Sequence, residues 1–279
     1  RYVQTGVDNH RVQGYFTAWP SFRWHVLNDN ITSISKAMLS NEETILISVH
    51  IPKTGGTSFS SILRDLYGAG YLEDYEWIDD RPDWMINGLD RLSDKEIMDS
   101  IQGIRCIHGH FLAEKYARLQ HIPGLSVRFV TWLRDPIDRA VSMYYFLRRL
   151  NTPDEEQADW ERTAKELDLY NYFLRTPYGW SGQSDQLRNF DVKRFDFIGI
   201  MERYQESIQL FLSLFASPET RVKIPHELEN QQRKTDHYEV DGKVRQRLLE
   251  LNYQDYYLYH EGLNIFENAM MCLKGRSPV

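Results

Sequence analysis

The chain has 279 residues, 42% of them hydrophobic, with a formal net charge of −7. That is enough to bury one substantial core, so a single domain with insertions is expected rather than two. The acidic balance excludes a general nucleic-acid binder, which carries a basic excess, and weighs against a long polyanionic partner unless a local basic cleft exists. Cys106 and Cys272 are too few for a disulfide framework. No stretch approaches the about 20 consecutive apolar residues of a membrane span.

Residues 1–40 crowd Tyr15, Phe16, Trp19, Phe22 and Trp24 without periodicity and read as an extension packed on a domain over 41–279. No signal peptide opens the chain; it starts at Arg1, so a leader or anchor could have been removed. Residues 44–51 (TILISVHI) form a nearly unbroken apolar run, which suits a strand buried on both faces of a parallel sheet. Phe59, Ile62, Leu63 and Leu66 then repeat with the stripe of an amphipathic helix.

Between strand and helix lies PKTGGTS: Pro52, Lys53, Thr54, Gly55, Gly56, Thr57 and Ser58. Glycines without a Cβ let backbone N–H groups converge on an anion, the helix N-terminus adds partial positive charge, and Lys53 adds a full one. The competing reading is an ordinary glycine-rich turn. The pattern is not a Walker A loop, where Lys follows the glycines beside a metal-binding hydroxyl; here Lys53 precedes them. Phosphate binding is expected without Mg²⁺.

Residues 68–92 read as a long loop. Ser93 and Glu96 form a capping box for a short helix through Ile97 and Ile101. Ile104–His108 is a second buried strand and Val127–Leu133 a third, after which Asp135 caps a helix with Pro136 in its first turn. Trp160, Ala164, Leu167 and Phe173 suggest one further helix, Phe195–Ile200 a fourth strand, and Tyr204, Ile208, Phe211 and Phe215 its following helix. Thr220–Ile224 reads as a short fifth strand, 225–240 as a mobile loop and 241–274 as mainly helical. The alternation predicts an α/β fold with a central parallel sheet of about five strands flanked by helices.

Ligands of such sheets gather beyond the carboxyl ends of the strands. Arg134 ends the third strand, and Ser142 lies eight residues on, in the helix that follows. Together they suit a second phosphate, while a surface ion pair of Arg134 with Asp135 or Asp138 is the plainer alternative.

The segments PKTGGTS and LRDPIDRAVSMYYF resemble the two donor-binding motifs of the 3′-phosphoadenosine 5′-phosphosulfate (PAPS)-dependent sulfotransferases, nearest in pattern to the carbohydrate group that contains heparan sulfate 2-O-sulfotransferase. The resemblance implies a P-loop-like three-layer sandwich. It implies that Lys53, Thr54, Gly55, Gly56, Thr57 and Ser58 hold the 5′-phosphosulfate and that Arg134 and Ser142 hold the 3′-phosphate. FDFIGIMERYQESI resembles the later strand and helix of the family, and Arg233-Lys234-Thr235 a basic segment that closes over the donor.

His108-Gly109-His110 follows the second strand, and residues i and i+2 share a face. A metal pair would need a third ligand, for which neither Cys106 nor His121 has a suitable spacing. A structural pair bonded to backbone carbonyls competes with a general base near neutral pH. The resembling family has an HGH-type segment here, which implies His110 as base, His108 as its helper, and His50 as a weaker candidate for contacting the acceptor.

The sequence-based expectation is therefore an O-sulfotransferase that moves a sulfuryl group from PAPS to a hydroxyl, on a saccharide, leaving 3′-phosphoadenosine 5′-phosphate (PAP), with no metal and no nucleic-acid partner. A P-loop kinase, or a nucleotide-binding module without activity, remains as the alternative. Tyr144, Tyr145, Phe146, Trp77, Trp84 and Trp180 are candidates to stack on a sugar, and Arg148 and Arg149 to meet an anionic one. Few cysteines favour a bacterial cytoplasm, with a Golgi lumenal domain cut from its anchor as the other setting.

Overall fold

The computed structural model describes residues 44–275 except 77, 79, 177–181, 218–221 and 223–236. The expectations for residues 1–40 and for Arg233, Lys234, Thr235, Trp77 and Trp180 lie outside the described residues. So does the strand over 220–224, apart from Val222, which is not in a strand.

Five parallel strands make one sheet: β1 (Thr44–Val49), β2 (Tyr71–Asp74), β3 (Cys106–Gly109), β4 (Ser126–Leu133) and β5 (Phe197–Ile200), in the order β2–β3–β1–β4–β5. The fold is α/β, as expected, but one member of the sheet is not the expected one. β2 lies inside the stretch read as loop, because four residues, YLED, half of them polar, carry too little hydrophobic signal for an edge strand.

The described helices are α1 (Gly56–Tyr67), α2 (Asp83–Asn87), α3 (Asp94–Ser100), α4 (Pro136–Arg148), α5 (Asp159–Glu166), α6 (Leu169–Arg175), α7 (Gln183–Gln186), α8 (Tyr204–Phe215), α9 (Gly242–Leu251) and α10 (Tyr253–Gly275). The Ser93–Glu96 capping box and the Asp135 cap with Pro136 are both present. The helix expected across 160–173 is instead two, because the Asp168 carboxylate accepts from the Asn171 N–H (2.9 Å) and starts α6 afresh. No described helix is long and apolar enough to cross a membrane.

The core lies on both faces of the sheet. α1 buries Phe59, Ile62 and Leu63, and the Phe59 ring meets Trp132 of β4 (5.2 Å) and Phe211 of α8 (4.8 Å). Each such side chain contributes about 1.5–3 kcal/mol by burial, so α1 is held rigidly against the strand that feeds it. Trp84 belongs to this core at 8% exposure, which removes it as a sugar platform. The chain leaves β1 toward β2 and β4 toward β5, so its connections diverge beyond the carboxyl ends of these two neighbours. That divergence opens the crevice where α/β proteins hold ligands.

Candidate active site

β1 and β4 run in register, Val49 beside Thr131, so the residues that follow them emerge together. The Lys53 loop leaves β1 through two left-handed residues, Lys53 (φ 71°) and Gly55 (φ 91°). For a lysine this conformation costs roughly 1–2 kcal/mol. It is held by two bonds: the buried Thr54 hydroxyl donates to the Ile51 carbonyl (2.8 Å), and the Lys53 carbonyl accepts from Arg134 Nη1 (3.1 Å). Gly55 is the N-cap of α1, and Met201, just after β5, packs so closely that a Cβ on Gly55 would fall 2.6 Å from its sulfur. Ser58 is buried on the first turn and Thr57 is exposed.

Arg134 is 5% exposed. Gln183 of α7 clamps its backbone on both sides, accepting from its N–H (2.9 Å) and donating to its carbonyl (2.8 Å). Its guanidinium faces the Tyr238 ring at 5.9 Å, and that ring stacks on Tyr145. Both Asp138 oxygens are engaged by the same segment, one by His237 Nδ1 (2.6 Å) and one by the Tyr238 N–H (2.8 Å). Asp135 caps α4 through the Asp138 N–H, and its own N–H donates to Glu202. Ser142 is buried on α4. Lys53 is pushed down to about 8, first by burial and then by the Arg134 and Arg149 cations, and its ammonium sits 4.3 Å from the Phe146 ring centre. Among the described residues no carboxylate pairs with it. A partly buried lysine lowered by two neighbouring guanidinium groups is a setting that favours a bound anion.

The histidines occupy the other side of β1. His50, His108 and His110 form one aromatic cluster, with His50 stacked on His108 (5.0 Å, 16°) and tilted against His110 (4.4 Å). Ser48 Oγ lies 2.8 Å from His108 Nδ1, and the Tyr75 hydroxyl 2.8 Å from His50 Nδ1. His50 packs against the first residue of α1: a Cβ on Gly56 would fall 1.9 Å from its Nε2. Gly109 is required too, since a Cβ there would sit 1.9 Å from the Asp74 carbonyl oxygen across the β2–β3 pair. Burial holds all three imidazoles low: His110 at about 4, His108 at about 3 with help from His110 and Arg64, and His50 well below its ordinary value with help from its two neighbours and Lys53. All three are neutral at pH 7. Among the described residues no group of three His, Cys, Asp or Glu side chains is placed to hold a metal.

The structure thus gathers Lys53, Thr54, Gly55, Gly56, Thr57, Ser58, Arg134 and Ser142 around the β1–β4 end, and His110 and His50 beside it. His108 lies deeper, 1% exposed. Arg148 is exposed, and its Nη1 donates to the Ala164 and Leu167 carbonyls and the Tyr144 hydroxyl, tying α4 to α5 and to the turn after it. Tyr144 is buried with them, whereas Tyr145 and Phe146 stay exposed. Sequence reasoning missed Ser48, Tyr75, Gln183 and Met201. Only Ser48 carried a signal, as a polar residue inside an apolar strand.

Fold and site together define a parallel α/β protein whose cations collect at the divergent end of two central strands. The chain belongs to the sulfotransferase family, whose model matches residues 36–260. It also aligns with mouse sulfotransferase SULT7A1, solved in complex with PAP, at 14% identity and a TM-score of 0.35, over 89% of this chain and 94% of that one. No curated protein matches it.

Proposed function

We propose that this sulfotransferase takes PAPS as donor and a saccharide hydroxyl as acceptor, with residues 41–279 acting as one domain. The observation that carries the reading is the bond from Arg134 Nη1 to the Lys53 carbonyl, which joins the two anion-binding motifs across one crevice. A nucleotide with phosphates at both its 5′ and 3′ ends has a group for each of two such motifs; a nucleoside triphosphate has one for only the first. The cations that cluster around Lys53 fit this group.

The donor supplies an activated sulfuryl group. Lys53 and the N-terminal N–H groups of α1 hold the 5′ end and meet the charge that develops on the bridging oxygen as its bond to sulfur breaks. Arg134 and Ser142 hold the 3′-phosphate and so set the register of the reacting sulfur. A ring nitrogen of His110 takes the proton of the acceptor hydroxyl as the new oxygen–sulfur bond forms. His110 is neutral at pH 7 and therefore in the form that accepts a proton. His108, fixed by Ser48, and His50, fixed by Tyr75, hold the His110 side of the site in place. No metal is invoked in this account. The free cysteines suit a reducing cytoplasm, the compartment we propose.

Transfer of labelled sulfate from PAPS to a panel of oligosaccharides, alongside metal-free titration with PAP and with ATP and Mg²⁺, tests the proposal. PAP binding with transfer to a saccharide supports it. Binding of ATP alone points to a kinase, and PAP binding without transfer to any acceptor points to an inactive module.

A further inference from the structure

Next to the imidazoles, on the β2 side of the edge, lies a cavity of about 530 Å³ with His110 in its wall. An acceptor that gives a proton to His110 has to reach that wall, and the path onward to the donor loop is short. His110 touches His50, and His50 touches Gly56 at the start of α1.

The charges around this cavity are those of no polyanion site. Asp74, Glu76 and Glu114 face it as carboxylates, against the cations Arg81 and Lys115. Both cations are already committed. Asp74, 1% exposed, binds Arg81 Nη1 at 3.0 Å and Lys115 Nζ at 2.5 Å, and the Tyr116 hydroxyl at 2.8 Å. The remaining Arg81 nitrogens donate to the Ile78 and Glu76 carbonyls (3.0 and 3.3 Å). Turning either cation toward an acceptor sulfate or carboxylate would take from a buried aspartate one of its two cationic partners, which is unfavourable. Glu76 and Glu114 are exposed at the rim and would repel such a group directly. Ile86, 53% exposed, and Phe111 give the wall an apolar strip against which the C–H face of a sugar ring can lie.

Resting on the sulfuryl-transfer reading above, we propose that this cavity is the acceptor site, that it takes a saccharide without sulfate or carboxylate substituents, and that it favours one carrying an amine. The probes are three fluorescent β-1,4-linked tetrasaccharides that differ only at nitrogen: glucosamine, N-acetylglucosamine and N-sulfoglucosamine. Anisotropy with saturating PAP ranks their affinities, and labelled donor ranks their turnover. The expected order is amine, then acetyl, then sulfate, with about a fivefold gap between first and last, the ratio that one exposed charge contact of about 1 kcal/mol produces. The double change Glu76→Lys with Glu114→Lys should narrow that gap or invert it. Tightest binding of the N-sulfated probe overturns the proposal, as does failure of all three to bind a protein that binds PAP. Failure of PAP itself strikes the donor-site reading instead, and the ranking of the three probes still reads the cavity.

Discussion

On the β4 side of β1 the carboxyl edge gathers Lys53, Arg134 and Arg149, whereas on the β3 side it gathers His50, His108 and His110. Both groups are basic and at least partly buried at their centres, Arg134 and His108, but they meet burial differently. The cationic side keeps its charge at the cost of a depressed Lys53 and a left-handed backbone braced by Thr54 and Arg134. The imidazole side gives up its charge, and hydroxyls of Ser48 and Tyr75 satisfy ring nitrogens instead. The two are coupled, since Lys53 is among the groups that lower His50. Under the proposed function the site must hold anions and still offer an unprotonated base, which needs this division, and the residues that follow β1 reach both sides from positions three apart, His50 and Lys53.

The largest expected effect breaks the imidazole side alone. His110→Ala should lower turnover by about 10²–10⁴-fold, the range for losing a general base, while PAP affinity stays near wild type. Turnover at the wild-type level would remove His110 from the chemistry. Next, Arg134→Ala breaks the cationic side: PAP should bind about 10–150-fold more weakly, the worth of a hydrogen bond to a charged group, with a much smaller loss for the 3′-hydroxyl analogue.

The pH dependences separate the two sides further. Lys53 loses its proton with a midpoint of about 8, so PAP affinity should fall as pH rises beyond that value, by up to about tenfold per unit for one proton. An anion raises the lysine again, so calorimetry near pH 8 in buffers of different ionisation heat should show proton uptake on binding. Proton release would contradict the assignment. For the imidazoles the sign runs the other way along the scale. Their folded-state values lie below the ordinary about 6.5, so the unfolded chain binds more protons between the two. Stability is retained above pH 6.5 and lost as pH falls through the window toward about 4 for His110 and about 3 for His108. Denaturant midpoints followed from pH 7 to 5 should fall, and substituting His108 by Gln should flatten that slope.

The smallest effect sharpens the cationic side. Asp138→Asn removes the charge that both His237 and Tyr238 engage, and with it the support for the ring facing Arg134. PAP affinity should drop only a few-fold, about 1 kcal/mol for a hydrogen bond outside the anion contacts.

The cationic side was legible in the sequence because its determinants are local. Lys53, Gly55 and Gly56 sit in one turn, and Arg134 follows directly on an apolar strand. The division itself was not legible. His50 lies between His108 and His110 only because β1 pairs with β3 in the register Val49 to Gly109, a long-range fact that no spacing within one segment carries. The same holds for Gln183, which clamps Arg134 from α7, and for Asp74, which ends an edge strand too short and polar to announce itself. Arg148 looked free because its acceptors are backbone carbonyls of α5 and of the turn after it, and backbone groups have no identity in a sequence. The break at Asp168 was the readable miss, since Asp followed three residues later by Asn is a capping pattern.

The central claim is that two anion-binding motifs form one bis-phosphate crevice beside a neutral base. Metal-free calorimetric titration of PAP and of its 3′-hydroxyl analogue, AMP, into the wild type and Arg134→Ala tests it most directly. The account predicts that PAP binds the wild type much more tightly than AMP, and that Arg134→Ala erases most of that difference. Equal affinities of PAP and AMP for the wild type, or equal losses for both on substitution, would contradict it.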